Sequence, residues 1–160
     1  MPVLTYEFRT LDPDTASQLI ELSRAWVNEN CCGGMVINDR DDLQEPLAVA
    51  LEGNRIVGYI FGHYYDQPRN SSYAAVGAPC FSVDELYVLP EFRGHGIGKK
   101  LFRMMEQLVT EHCDCMTLTT STKNYRAILK LYIEELGMCF NSAFLVKQMP
   151  GAQKEETSCV

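Results

Sequence analysis

The chain is short of basic side chains. Fourteen Lys and Arg stand against 21 Asp and Glu, for a formal net charge of −7. That balance excludes nucleic acid as an expected partner, because a phosphate backbone is gripped by clustered Lys and Arg. No apolar run approaches the roughly 18 residues that a membrane-spanning helix needs, so no membrane partner is expected. The opening residues MPVLTYEFRT hold neither a basic n-region nor an apolar h-region. Without a secretory signal, the expected address is the cytoplasm. Cys31, Cys32, Cys80, Cys113, Cys115, Cys139 and Cys159 make an odd number of cysteines, and no C-x-x-C occurs. This supports neither a disulfide framework nor a zinc ribbon, and leaves small apolar side chains in a reducing compartment. His63, His95 and His112 lack any spacing that suits a metal, so none is expected. Repeats and low-complexity tracts are missing as well.

What is present is 160 residues, 46% hydrophobic and 22% charged, enough for one packed core. A single domain is expected over residues 1–149, with a polar, disordered tail at 150–160. Residues 3–10 alternate as a strand, with Leu4, Tyr6 and Phe8 on one face. Asp12-Pro13 reads as the cap and first position of a helix. Ala16, Leu19, Ile20, Ser23, Trp26 and Val27 form its buried stripe, and Cys31-Cys32-Gly33-Gly34 ends it. Residues 35–45 carry Asp39, Asp41, Asp42 and Glu45, either as a solvated loop or as an acidic rim toward a cationic ligand. Residues 46–51 and 55–65 read as a hairpin turning at Gly53-Asn54, followed by a long loop at 66–77. After the central stretch at 81–101, a helix from about Gly98 to His112 buries Leu101, Met104, Met105, Leu108 and Val109. A short strand at 115–120, a helix capped by Asn124 and stopped at Gly137, and a last strand at 139–147 complete the order β-α-β-β-β-α-β-α-β.

The chemistry concentrates in FSVDELYVLPEFRGHGIGKKL, residues 81–101. An apolar strand ends at Pro90, which has no N–H to donate. Gly94, Gly96 and Gly98 then alternate across five positions into a helix start. Small residues bare main-chain N–H groups, and the helix adds its unpaired first-turn amides and positive dipole end. The product is an anion cradle suited to phosphate or pyrophosphate. The dinucleotide fingerprint fails, since Lys99 stands where its third glycine belongs, and the P-loop fails at the same residue. Asp84 and Glu85 are the only charges in the strand before the turn. Burial there raises a carboxylate pKa toward that of a useful base. Strand alternation points the two to opposite faces, and Glu85 is the candidate base.

Arg93, Gly96 and Gly98 as R-x-x-G-x-G, after Leu86, Val88 and Pro90 as L-x-V-x-P, resemble the acetyl-CoA-binding motif of the GNAT superfamily of N-acetyltransferases. Asn124, Ala127, Ile128, Leu131, Tyr132, Leu136 and Gly137 look like its second CoA motif. Here Asn124 stands thirteen positions before Gly137, two more than is usual in that family. Two extra residues rotate a helix by roughly 200° unless a bulge absorbs them. The resemblance implies an α/β (α+β) fold with a mixed central sheet and a splayed parallel strand pair beside the glycine-loop helix. It implies that pantetheine pairs with the backbone of Leu86, Tyr87 and Val88, and that pyrophosphate sits on Arg93, Gly94, Gly96 and Gly98. His95, Ile97 and Lys99 would add backbone contacts, and Asn124 belongs to the same CoA site. The charges of Arg93 and Lys99 either touch phosphate or face solvent. Tyr132 is the candidate general acid, with Tyr125 in reserve. The implied function is transfer of acetyl from acetyl-CoA to a primary amine by direct attack in a ternary complex, without a metal. The amine belongs to a small cationic molecule or a peptide, and the chain is a candidate homodimer. The rivals are a non-catalytic acyl-CoA-binding regulatory domain and a transferase using a longer acyl-CoA.

Overall fold

The computed structural model describes residues 3–151. Five strands form one sheet in sequence order: β1 (Leu4–Arg9), β2 (Leu47–Glu52), β3 (Arg55–Asp66), β4 (Pro79–Val88) and β5 (Cys115–Leu118). Neighbouring strands are antiparallel except β4 and β5, which are parallel. Helix α1 (Pro13–Glu29) follows β1, and α2 (Ile97–Val109) connects β4 to β5. Helix α3 (Tyr125–Lys130) follows β5 and runs into one π-helical turn at Leu131–Glu135. The expected mixed α/β sheet is therefore present. Among the described residues, no helix is long and apolar enough to cross a membrane.

The core lies where the two long helices cover the sheet. Leu47, Ala48, Val49, Ala50 and Leu51 of β2 are all buried, as a strand covered on both faces requires. Tyr87 on β4 stacks on Trp26 of α1 with ring centroids 4.9 Å apart. A Cβ built on Gly58 would meet Ile97 of α2 at 3.4 Å, so α2 packs close against the opposite face. Helix α1 starts as its sequence dictates, with the Thr15 N–H donating to Asp12 Oδ1 at 2.8 Å and Pro13 in the first turn. It ends earlier than the glycine pair suggests. Asn30 takes the left-handed conformation at φ 51° and donates its N–H to Val27 O, a role Asn fills after Gly. On α2 the buried stripe is Ile97, Leu101, Phe102, Met105 and Val109, while Leu108 is exposed. A spacing of four along the helix selects that face and turns Leu108 outward.

The expected last strand at 139–147 does not form. The stretch finds no ladder among the described residues, and Phe144 is 92% exposed. Alternating apolar residues make a strand only where a neighbour supplies hydrogen bonds and a packed face. Of the expected tail, residues 152–160 lie outside the described chain.

A β-bulge interrupts the pairing of β3 with β4. Phe61 faces Glu85 and Gly62 faces Val83, so Asp84 is the extra residue. A Cβ on Gly62 would stand 2.0 Å from Ser82 O and 2.8 Å from the Phe81 ring. Only glycine fits. Gly62→Ala is expected to lower the unfolding free energy by about 1–3 kcal/mol, read as a lower urea midpoint. Gly33→Ala, whose Cβ would meet nothing closer than 3.9 Å, should leave the midpoint nearly unchanged.

Candidate active site

β4 and β5 pair only from Cys80↔Cys115 to Val83↔Leu118. β4 then runs on to Val88 without β5 beside it. The strands part at the bulge, leaving one edge of β4 without a strand partner over Leu86, Tyr87 and Val88, where Val88 O accepts from the Arg93 side chain. This is the splayed pair implied by the sequence resemblance.

The loop beyond that edge is shaped to receive an anion. Gly94 and Gly96 hold φ 79° and 77°, a left-handed conformation that any side chain would strain, and a Cβ on either would meet nothing within 4 Å. The first main-chain bond of α2 runs from Lys100 N–H to Gly96 O. The N–H groups of residues 94–99 thus have no main-chain acceptor among the described residues. They open at the positive end of a 13-residue helix. This donor set fits a diphosphate.

Arg93 behaves differently from both alternatives its charge suggested. Its own N–H donates to Pro90 O at 3.2 Å, outside the row of free amides. Its Nε donates to Val88 O, and Nη1 and Nη2 donate to the two oxygens of Glu29, each at 2.8 Å. Lys99 Nζ lies 3.4 Å from Glu135 Oε2 in an exposed pair, a weak tie between α2 and the π turn. His95 Nδ1 lies 3.3 Å from Phe92 O.

The bulge also changes the geometry of the two carboxylates. Asp84 Oδ2 lies 2.7 Å from His63 Nδ1. His63 alternates with Phe61 and Tyr59 along β3, and the Tyr59 hydroxyl donates to Glu85 Oε2 at 2.6 Å. Asp84 and Glu85 therefore serve the same face of the sheet, contrary to simple alternation, because the extra residue resets the phase. Asn38, from the α1–β2 connection, donates Nδ2 to both Glu85 oxygens at 2.8 and 3.0 Å. Its own N–H donates to Ser23 Oγ, which donates to Ile20 O of α1. Burial raises the Glu85 pKa above the usual carboxylate range, the Tyr59 and Asn38 bonds pull the other way, and the Asp42 and Asp84 charges push it up further. Asn38 and Tyr59 were not singled out by sequence. Tyr59 reads as core, and nothing in the spacing of a loop Asn announces a partner 47 residues away.

Tyr132 lies in the π turn, its ring 6.1 Å from that of Phe102. Burial, with the Cys32 thiol adding, pushes its phenol up to about 12, so it stays protonated. Tyr125 is 53% exposed and outside this cluster. The long Asn124–Gly137 spacing now has a physical account. The Leu136 N–H reaches back five residues to Leu131 O, and a π turn absorbs residues that an α-helix would convert into rotation. Asn124 does not cap α3 with its side chain. Its N–H donates to Thr122 Oγ1 instead, and its carbonyl receives the Ile128 N–H. Nearby, residues 31–33 and 121–123 are joined by Gly33 N–H to Ser121 O and Lys123 N–H to Cys31 O, tying the end of α1 to the chain leaving β5.

A sheet split beside an amide-lined helix start, with the half-buried Glu85 carboxylate on the strand that borders it, marks the candidate site. The model of the acetyltransferase (GNAT) family matches residues 8–138, and the chain belongs to that family. It is thereby an acetyl-CoA-dependent N-acetyltransferase. Three solved structures share its fold. An aminoglycoside acetyltransferase, meta-AAC0020 from an uncultured soil metagenomic sample, in complex with sisomicin, gives a TM-score of 0.64 at 22% identity, over 91% of this chain and 97% of that one. A ribosomal-protein-alanine N-acetyltransferase from Brucella melitensis biovar Abortus 2308 gives 0.61 at 19%, over 91% and 99%. A predicted acetyltransferase with acetyl-CoA from Clostridium acetobutylicum gives 0.65 at 16%, over 91% and 96%. No curated protein matches the chain.

Asn38→Ala removes two hydrogen bonds that favour the charged form of Glu85. The acid limb of kcat/KM against pH should move to higher pH, with the alkaline side unchanged. An unmoved acid limb would mean that Glu85 is not the group titrating there.

Proposed function

We propose that the chain transfers acetyl from acetyl-CoA to a primary amine of a small cationic molecule or peptide, by direct attack within a ternary complex. The observation that carries the donor half is the row of free amides at residues 94–99, set beside the unpaired edge of β4. The amides of Gly94, His95, Gly96, Ile97, Gly98 and Lys99 hold the diphosphate, and the β4 edge at Leu86, Tyr87 and Val88 takes the pantetheine arm. The thioester then lies in the split.

An alkylammonium must lose a proton before its nitrogen can attack. Glu85, with its raised pKa, takes that proton directly or through one water. The nitrogen lone pair adds to the thioester carbonyl, the C–S bond breaks, and the thiolate leaves. Tyr132, held protonated, gives its proton to the departing sulfur, and the second proton, shed by the nitrogen as the tetrahedral adduct collapses to the amide, returns to the phenolate through water. The acceptor side is acidic: Asp84 lies next to Glu85, and Asp39, Asp41 and Asp42 belong to the same connection as Asn38. This charge favours a cation, and the sisomicin-bound and ribosomal-protein-modifying relatives are consistent with amine acceptors. One catalytic domain covers residues 1–149. Six cysteines are free thiols among the described residues, which suits a reducing, cytoplasmic setting.

Calorimetry with CoA tests the donor half, and a panel of amines with acetyl-CoA and a thiol reagent tests the acceptor half. Gly98 has ordinary helical φ, and its Cβ would meet only Val88 Cγ2, at 3.9 Å. Gly98→Glu should therefore fold with an unchanged melting temperature while CoA affinity falls by about 100-fold. Retained affinity in that variant would overturn the cradle. Tyr132→Phe should lower kcat by about 10–100-fold with little change in the KM for acetyl-CoA.

A further inference from the structure

We propose that Glu29 is a positioning residue for the donor site, holding the Arg93 guanidinium back against the sheet and so fixing the loop whose amides receive the diphosphate. The inference rests on the donor-site reading above. Glu29 is the last residue of α1, where a carboxylate meets the negative end of the helix dipole. Its side chain is nevertheless only 19% exposed. A carboxylate in such a place needs partners, and it has them. Oε1 accepts from the Tyr87 hydroxyl and from Arg93 Nη2, and Oε2 accepts from Arg93 Nη1. The same guanidinium caps Val88 O through Nε, and its Cζ lies 5.4 Å from the centroid of the Tyr87 ring that stacks on Trp26. Trp26 and Glu29, one turn apart on α1, thus clamp Tyr87 of β4 and Arg93 of the loop together. Burial pushes the Glu29 pKa up, but the Arg93 and Tyr87 bonds outweigh it and hold the carboxyl below its ordinary range.

Arg93 is the residue from which the loop departs. With its N–H on Pro90 O and its side chain on Glu29 and Val88 O, both its backbone and its side chain are fixed immediately before left-handed Gly94. The planar fork reaches two carboxylate oxygens and a carbonyl from three separate nitrogens, whereas an ammonium must direct all its donors from one. Pairing also neutralises a carboxylate that would otherwise repel an incoming diphosphate.

The test measures CoA binding by calorimetry, melting temperature and steady-state kinetics in the full chain for Glu29→Gln, Arg93→Ala, the double variant and Arg93→Lys. Each single variant should raise the Kd for CoA and the KM for acetyl-CoA by about tenfold, leaving kcat within about twofold. The double variant should be no worse than either single one, because the two side chains act as a unit. Arg93→Lys should behave as Arg93→Ala, and it reads the same contact if Glu29→Gln does not fold. A Glu29→Gln variant that loses thermal stability but binds CoA as the parent does would overturn the proposal, as would additive effects in the double variant. Failure of the parent itself to bind CoA would instead remove the donor-site reading on which the proposal stands.

Discussion

The site depends on a ladder that stops. β4 and β5 share four register pairs, ending at Val83 and Leu118, and β4 continues alone. A parallel pair carried to the end of β4 would leave no unpaired edge and no room beside it. The bulge at Asp84 sits at the point of parting, and bulges bend and twist the strand that carries them. Gly62 makes that bulge possible by letting Ser82 O and the Phe81 ring approach its backbone. One missing side chain on β3 thus supports the opening on the far side of β4.

Around this opening, polar groups are organised by α1 and the connection that follows it. Glu29 reaches the glycine loop, residues 31–33 reach the chain beyond β5, and Asn38 reaches the carboxylate on β4. Each contact joins groups far apart in sequence, and each has charged or main-chain partners with good geometry. The half-buried carboxylates at Glu29 and Glu85 are held at the edge of the core by the donors that surround them. Their pKa values move in opposite directions. Glu29 faces a guanidinium and is held low, while Glu85 faces neutral donors and other acids and is raised. Two carboxylates under different electrostatics are thereby suited to different work.

Much of this was legible in the sequence, and the reasons are local. Asp12-Pro13 fixes a helix start, Gly53-Asn54 a hairpin, and Pro90 with the glycines a strand–loop–helix unit, because each acts through its own backbone. What escaped was set by tertiary contacts. The shared face of Asp84 and Glu85 depends on a bulge, which resets alternation without changing composition. Asn38, Tyr59 and Glu29 gain their importance from partners 26 or more residues away. The odd spacing of Asn124 and Gly137 was visible, but its resolution as a π turn needed the hydrogen bond from Leu136 to Leu131. Residues 139–147 show the converse, a strand pattern without a neighbour to complete it.

The connection between α1 and β2 has a practical corollary. Its first half is anchored at two points, Asn30 on Val27 O at the end of α1 and Asn38 on the Glu85 carboxylate of β4. On the roles proposed for Glu29 and Glu85, grafting a foreign loop between these anchors would disturb nucleotide grip and proton removal together unless the graft preserved the distance between them. Diversity is better introduced at Asp39, Asp41 and Asp42, past the second anchor, where the carboxylates bond mainly to one another's backbone.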